Sequence, residues 1–305
     1  MNLNFKPVEA EDMSRLHPFY GLRPNRTCDS VFLDSFLWKD YYKVKCAVSE
    51  DRAALWLMEK DGILSSAMPL CKEEDLPHFF YQMVDYFDNV LHKPFYISLA
   101  DAEAVEYLDL DPEKFEVTEL DDLKDYLYDG NAMRTLAGKK LHKKKNRLNG
   151  FLKTYEGRYE YRRICCSDRQ EVWQCIMEKW RQQKVESYEN EISLDYEVAG
   201  IHDILKNCSA FNVPMAGVYI DGELKAFTVG SLNERENMAV IHIEKADPEI
   251  NGLYQFINQQ FLVHEFPDVA LVNREDDVGM PGLRKAKMSY YPVDFARKYS
   301  VKKKY

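Results

Sequence analysis

The sequence predicts an α+β protein of two tandem domains, each a mixed central sheet flanked by helices. Three observations carry that prediction. The chain has 305 residues, too long for one ordinary domain and suited to two of about 150 residues each. Its second half reads strand, two helices, three consecutive strands, helix, strand, helix, strand, which alternates too little for a doubly wound nucleotide fold. The first half repeats most of that order in outline. With 46% apolar and 13% aromatic residues, there is enough material for two cores, and a disordered chain is excluded.

Taken in order, "LNFKPV" reads as a strand, and residues 11–20 and 29–42 as short helices. The strands "KCAVSE", "AALWLMEK" and "ILSSAMPL" follow, then the helix "EEDLPHFFYQMVDYFDNVL" and the strand "PFYISLA". The second half opens with the alternating strand "YEYRRI". A helix over 167–183 has Ser167 or Asp168 as N-cap and Val172, Ile176 and Trp180 on one face. Residues 193–211 form a second helix, with Leu194, Val198, Ile201 and Leu205 at helical spacing. "PMAGVYID" and "ELKAFTVGSLN" flank the turn Asp221-Gly222, a strong hairpin signal. "NMAVIHIEKA" is the third strand, "GLYQFINQQFLVHEF" a helix, and "VALVN" a strand. A basic helix spans about 282–290, and "VDFARKYSV" closes the order.

Between the halves, Met133, Leu136, Leu141, Leu148, Leu152 and Tyr155 form one stripe of a long helix. Lys139, Lys143, Lys144, Lys145 and Arg147 crowd the same segment. The expected division is therefore 1–132, a basic linking helix 133–158, and 159–305. The net charge of −10 hides two opposed blocks. Residues 101–129 hold twelve acids against Lys114 and Lys124, and residues 139–163 hold ten Lys/Arg against Glu156 and Glu160. An acidic protein is a poor general nucleic-acid binder, but a local basic face can dock a phosphate-rich partner. The same face also suits a solvated helix surface.

No run of about 18 apolar residues is present, so a spanning helix is not expected. "MNLNFKPVEAEDM" has neither the basic flank nor the apolar core of a secretory signal. The seven cysteines are scattered without a CxxC pair, which predicts reduced structural thiols and a cytoplasmic location.

Three segments can carry chemistry. The strand "AVIHIEKADPEI" leads into a helix opening at Asn251-Gly252, and a helix N-terminus there suits a phosphate. Gly252 would let the backbone approach a ligand closely, although Asp247 and Glu249 precede it and an ordinary loop fits as well. On that strand His242, Glu244 and Ala246 share one face, and Ile241, Ile243 and Lys245 the other. Glu244 could act as a general base, or it could be a buried carboxylate satisfied by arginines. The third segment, "VNREDDVGMPGLRKAKMSYYP", ends a strand at Asn273 and starts a helix with Leu283, Ala286 and Tyr290 on one face. Glu275, Asp276 and Asp277 are adjacent and lack the alternate ligand spacing of a calcium loop, so no metal is expected.

Together, "HIEKADPEINGLYQFINQ", "NREDDVGMPGLRKAKMSYYP" and "GKKLHKKKNRLNGF" resemble the bacterial proteins related to the C-terminal catalytic domain of lysyl-phosphatidylglycerol synthases, over roughly residues 20–300. The element order likewise resembles the acyl-CoA N-acyltransferase (GNAT-like) fold, which these proteins share in tandem form with the Fem-like aminoacyltransferases. The resemblance implies no permanently bound cofactor and an acyl donor that is either aminoacyl-tRNA or acetyl-CoA. It implies that Asn251, Gly252, Lys245, Asn273 and Arg284 line the donor site, and that Lys139, Lys143, Lys144, Lys145 and Arg147 dock donor phosphates. Glu244 or Asp277, with His242 nearby, would orient an acceptor amine. A backbone N–H near Glu244 would hold the oxyanion, and Tyr290 (or Tyr291) would protonate the leaving group. The implied partners are tRNA, an anionic lipid at a membrane surface, and a small-molecule acceptor bearing an amine or hydroxyl. Two alternatives stay open: an acetyl-CoA-dependent N-acetyltransferase of a small molecule, and a non-catalytic RNA- or partner-binding module.

Overall fold

A computed structural model describes residues 3–179 and 188–305. The chain divides into two units, at places other than those expected. The first comprises Met1–Asp125, Asp276–Gly279 and Phe295–Tyr305, and the second Tyr126–Glu275 and Met280–Asp294. The bounds 1–132, 133–158 and 159–305 therefore give way. The basic segment belongs to the second unit, and the final strand belongs to the first. Strand pairing is the physical reason, as the three sheets among the described residues show.

In the first unit, strands β1 (Lys6–Pro7), β2 (Lys45–Ser49), β3 (Ala53–Lys60) and β4 (Ile63–Ser65) form an antiparallel sheet in that order. Helices α1 (Met13–Tyr20) and α2 (Phe32–Leu37) fall between β1 and β2. Helix α3 (Leu76–Asp85) continues into a wider turn over Tyr86–Leu91. It buries Phe79, Phe80, Met83 and Phe87 in one cluster with Leu55, Phe95 and Phe115. Strand β5 (Tyr96–Asp101), helix α4 (Ala102–Leu108) and strand β6 (Phe115–Glu119) complete this stretch. The last two went unread in the sequence because they lie in the acidic block: β6 buries only Phe115, so no apolar alternation marks it. Asp101 caps α4 by accepting from the Ala104 N–H at 2.9 Å.

The strand Lys298–Lys303 inserts between β5 and β6, antiparallel to both. It carries Lys298, 2% exposed, into a nest of acids. Its Nζ lies 2.8 Å from Asp125, 3.6 Å from Asp29, 3.7 Å from Asp276 and 3.2 Å from the Cys28 Sγ. Asp125 in turn accepts from the Cys28 N–H at 2.6 Å. Burial favours the neutral amine, but Asp125 and its neighbours overcome it and hold the Lys298 ammonium well above its ordinary pKa.

The second unit begins with β7 (Asp125–Asp129), whose first residue closes the first unit. Then come α5 (Gly130–Thr135), α6 (His142–Thr154), β8 (Tyr159–Arg163), α7 (Arg169–Lys179), α8 (Tyr188–Lys206), β9 (Met215–Ile220), β10 (Glu223–Asn233), β11 (Met238–Ala246), α9 (Leu253–Glu265), β12 (Leu271–Asn273), α10 (Pro281–Met288) and β13 (Asp294–Ala296). Lys298–Lys303 is then β14. The sheet runs β13-β7-β12-β11-β10-β9-β8, with β13 at the edge where the chain leaves the unit. β11 and β12 pair parallel, while β12–β7, β11–β10, β10–β9 and β9–β8 pair antiparallel. The hairpin at Asp221-Gly222 forms as expected, with both residues at positive φ.

Other expectations are corrected here. The continuous stripe from Met133 to Tyr155 is two helices, broken where Leu136 and Gly138 take left-handed φ of 49° and 87°. α10 buries none of its residues: Leu283 and Ala286 face out, and Tyr290 lies past the helix end, buried. The thiols are not all reduced. Cys166 and Cys208 are bonded to each other, while Cys28, Cys46, Cys71 and Cys175 are buried thiols outside any disulfide. Trp180, placed on a helical face in the sequence reading, lies outside the described residues. Among the described residues no helix is long and apolar enough to cross a membrane.

Removing the Lys298 ammonium leaves Asp125 buried without its counter-charge. Lys298→Ala is expected to cost about 3–5 kcal/mol, measured as a lowered urea midpoint. The double substitution Lys298→Met/Asp125→Leu is expected to recover much of that loss, because neither charge then needs a partner.

Candidate functional site

The site is built where two parallel strands part. β11 pairs with β12 only across Met238–Val240, opposite Leu271–Asn273. β12 ends there, and β11 runs on to Ala246 without a strand neighbour on that side among the described residues. The chain turns at Asn273, which is fully buried and whose Oδ1 accepts from the Glu275 N–H at 2.7 Å. That turn aims the next two side chains back across the gap. Arg274 donates from Nη2 to Glu244 at 2.7 Å, and Glu275 lies 3.1 Å from the His242 Nδ1. The other ring nitrogen of His242 is 3.1 Å from the Ser231 hydroxyl. The second Glu244 oxygen accepts from the Asn258 amide of α9 at 2.6 Å. Both carboxylate oxygens are thus engaged, which makes Glu244 the counter-ion of a buried guanidinium rather than a free base.

Tyr290 stands on the other side of Arg274. It is 7% exposed; its hydroxyl accepts from the Gln255 amide at 3.1 Å, and the Arg274 guanidinium lies 5.0 Å from its ring. Tyr128 packs edge-on to it with centroids 6.3 Å apart, and the Tyr128 hydroxyl donates to the Lys287 carbonyl at 3.0 Å. Burial pushes the Tyr290 phenol above its ordinary pKa, with Arg274 pulling the other way. Arg274 is held charged above its usual value: burial opposes the charge, but Glu244 first, then Tyr290 and Tyr128, outweigh it. The half-buried Lys144 of α6 sits 4.0 Å over the Tyr290 ring. Its amine is pushed down to about 8 by burial and by Arg147 and Arg274.

α6 reaches this place because of Gly252. A Cβ at Gly252 would meet the Arg147 carbonyl oxygen at 2.3 Å and the Phe151 Cβ at 2.9 Å, and the residue has φ of +88°. The close approach at Gly252 is therefore to the α6 backbone, not to a ligand. Phe151 stacks on Phe256 of α9 with centroids 4.7 Å apart, which fixes the pairing of the two helices. At Gly252 the start of α9 therefore packs against the α6 backbone.

The remaining predicted residues scatter. Asn251 is exposed on the loop before α9. Lys245 points away from the gap and pairs with Glu197 of α8 at 2.7 Å. Arg284 is half-buried on α10. Asp277 belongs to the first unit, where its Oδ1 accepts from the Gly279 N–H at 2.9 Å. On the basic segment, Lys139, Lys143 and Arg147 are exposed, and Lys145 donates to the Thr135 carbonyl at 3.1 Å. The sequence reading missed Arg274, Gln255 and Asn258. Gln255 and Asn258 had a signal: two amides three apart inside the apolar helix "YQFINQ", a spacing that puts both on one buried face.

The family model described as phosphatidylglycerol lysyltransferase, C-terminal, matches residues 20–302. A crystal structure of a conserved protein of unknown function from Bacteroides thetaiotaomicron superposes with a TM-score of 0.86 and 27% identity, covering 99% of this chain and 100% of that one. The structure of L-PGS from Bacillus licheniformis superposes with a TM-score of 0.69 and 16% identity, covering 97% of this chain and 93% of that one. Among curated sequences, an uncharacterized protein of Mycoplasmoides gallisepticum is 29% identical over 178 residues, which are 58% of this chain and 55% of that protein. That match spans about half the length of the curated relative. The expected α+β fold of mixed sheets flanked by helices holds for this chain, and it is shared with these structures.

Two predictions follow from the packing and charge of the site. Gly252→Ala forces a Cβ onto backbone at a strained φ, and is expected to destabilise the second unit by about 1–3 kcal/mol, read as a lower melting temperature. Lys144 titrates near 8 in the fold against about 10.4 in an unfolded chain. Between those values the unfolded chain holds the extra proton, so this group's contribution to stability rises with pH across that window. Carbon-labelled lysine NMR is expected to show one amine with a midpoint near 8 that disappears in Lys144→Gln.

Proposed function

The chain belongs to the phosphatidylglycerol lysyltransferase C-terminal family, and from that premise we propose that it transfers an aminoacyl group from aminoacyl-tRNA to an amine or hydroxyl acceptor. One observation carries the choice of donor: the lysine-rich α6 packs against Gly252 at the start of α9 and brings Lys144 onto Tyr290. The α6 backbone takes the close-approach side of Gly252, where a CoA pyrophosphate would otherwise come near the turn. The exposed Lys139, Lys143 and Arg147 supply a phosphate-binding face beside the reacting groups instead.

In this mechanism the acceptor attacks the ester carbonyl that joins the amino acid to the terminal ribose. The neutral fraction of Lys144 takes the proton from the acceptor. The backbone of β11 past Val240 and the Arg274 charge stabilise the oxyanion. As the carbon–oxygen bond to ribose breaks, Tyr290 gives its proton to the ribose oxygen. Burial keeps that phenol protonated at neutral pH, and Arg274 beside it makes the phenolate tolerable. Glu244 positions Arg274. The acceptor class named by the family, a phosphatidylglycerol hydroxyl, is one arm of the test; a soluble amine is the other.

Tyr290→Phe is expected to slow transfer from radiolabelled aminoacyl-tRNA by about 10²–10³, with tRNA affinity unchanged. Replacing Lys139, Lys143 and Arg147 with Glu is expected to abolish tRNA binding and to flatten its salt dependence by about two to three powers of salt concentration. A melting temperature raised by acetyl-CoA and not by aminoacyl-tRNA overturns the proposal in favour of acetyl transfer. Tight binding of tRNA with no transfer to either acceptor overturns it in favour of a binding module.

A further inference from the structure

The second unit holds a chain of three side chains that the proposed transfer does not use: Ser231 of β10, His242 of β11 and Glu275 just past β12. The Ser231 hydroxyl lies 3.1 Å from His242 Nε2, and Glu275 Oε1 lies 3.1 Å from His242 Nδ1. A carboxylate can only accept, so Nδ1 carries the ring proton and Nε2 is left to accept from the serine. Hydroxyl on Nε2 and acid on Nδ1 is the arrangement of a serine nucleophile, its base and the acid that orients the base.

Two departures from regular backbone make this arrangement. β10 and β11 pair Val229 with Ile243 and Gly230 with Ile241, so His242 is an extra residue with no partner opposite it in that ladder. A bulge of this kind re-aims the side chain it carries. The Thr228 hydroxyl steadies it by donating to the Ile243 carbonyl at 2.8 Å. Glu275 has a φ of 58°, a region that residues with a Cβ rarely occupy. It is held there by Asn273 Oδ1, which accepts its N–H at 2.7 Å, and by the Tyr126 N–H, which donates to its carbonyl at 3.2 Å. A histidine in need of hydrogen bonds alone is served by any two polar groups. Here the backbone is irregular at two of the three residues, as it is where the placement of a side chain matters.

We infer that Ser231, His242 and Glu275 form a second reactive centre, which hydrolyses small carboxylic esters through an acyl-serine. Ser231 Oγ bonds to the ester carbonyl carbon while its proton passes to His242 Nε2. The bond from that carbon to the alcohol oxygen then breaks, and the proton leaves with the alcohol. Water repeats both steps on the acyl-serine: its proton goes to Nε2, the carbon–Oγ bond breaks, and the proton returns to Ser231. One ester and one water give one acid and one alcohol, with no oxidant or further reactant. Glu275 is the positioning residue: it fixes the ring and stabilises the imidazolium that forms. Ser231 is 6% exposed, which suits a short acyl group and excludes a polymeric ester. The centre shares no residue with the proposed transfer and does not rest on that reading.

The first probe is diisopropyl fluorophosphate, applied to the full chain without tRNA and followed by peptide mass spectrometry. One diisopropylphosphoryl group is expected on the peptide that carries Ser231, with fluoride released, and none there in Ser231→Ala or His242→Gln. The second probe is p-nitrophenyl acetate. Its hydrolysis is expected to fall at least about 100-fold in Ser231→Ala and in His242→Gln. Glu275→Gln is expected to lower kcat about as far and to leave KM little changed, a split that a purely structural role does not produce. No label at Ser231, or hydrolysis that persists in Ser231→Ala, overturns the inference and leaves a buried hydrogen-bond chain. Should the variants fail to fold, labelling of the unaltered chain decides alone. Aminoacyl transfer plays no part in either readout, so failure here and failure of the transferase proposal are separable.

Discussion

The second unit depends on the ion pair between Glu244 and Arg274 across the gap where β12 stops. A guanidinium buried beside two phenols would be prohibitive without a counter-charge, and Glu244 supplies it at 2.7 Å. Because Asn258 fills the second Glu244 oxygen, the carboxylate is fixed, and Arg274 with it. The consequences spread from there. Arg274 sets the electrostatic surroundings of Tyr290 from one side and depresses the Lys144 amine from a greater distance. The short β12 is therefore not a weak element but the condition of the site. One more paired residue would replace the side-chain bridge with a backbone ladder.

A second constraint is Gly252. In a strand-to-helix turn of this kind, the helix N-terminus ordinarily offers its amides to an anion. Here the carbonyl of Arg147 comes so close that only a residue without a Cβ fits. In the proposed reading, anion binding falls to the exposed lysines and arginine of α6. A compact pyrophosphate needs a small and rigid cradle. A long polyanion, whose phosphates repeat along a strand, is better served by such side chains. The same glycine that suggested a ligand contact in the sequence thus ends as a helix-packing residue, with consequences for which donor the site suits.

Much of the second half was legible in the sequence, because hairpin chemistry at Asp221-Gly222 and the apolar runs of β9, β10 and β11 are local signals. The parts that failed were non-local. Nothing in "VDFARKYSV" distinguishes a strand that pairs at home from one that inserts between β5 and β6. The break at Leu136 was hidden by an apolar stripe that continues in register on both sides of it. Leu283 and Ala286 have the spacing of a buried face, yet α10 is short and basic and leaves them in solvent. In the site, Tyr290 and the strand bearing His242 and Glu244 were found from their places in the order. Arg274 was not, since an arginine in an acidic turn reads as surface charge until the turn at Asn273 is known to aim it inward. Cys166 and Cys208, 42 residues apart, carry no spacing that announces a bond.

The opposed charge blocks acquire a meaning once each is placed in its own unit. The acids of 101–125 belong to the first unit, and the basic run 139–163 lies wholly in the second. Within each unit the interior follows the sign of its block. The first buries Asp101 and Asp125 and pairs them with its buried cations, Arg23 and Lys298. The second buries Arg274, half-buries Lys144, and commits Glu244 to Arg274. A net charge of −10 averages these away, and on that average alone the chain would be dismissed as a nucleic-acid binder. Desolvation makes the local sign matter more than the sum, because a charge in a low-dielectric pocket is screened far less than one on the surface.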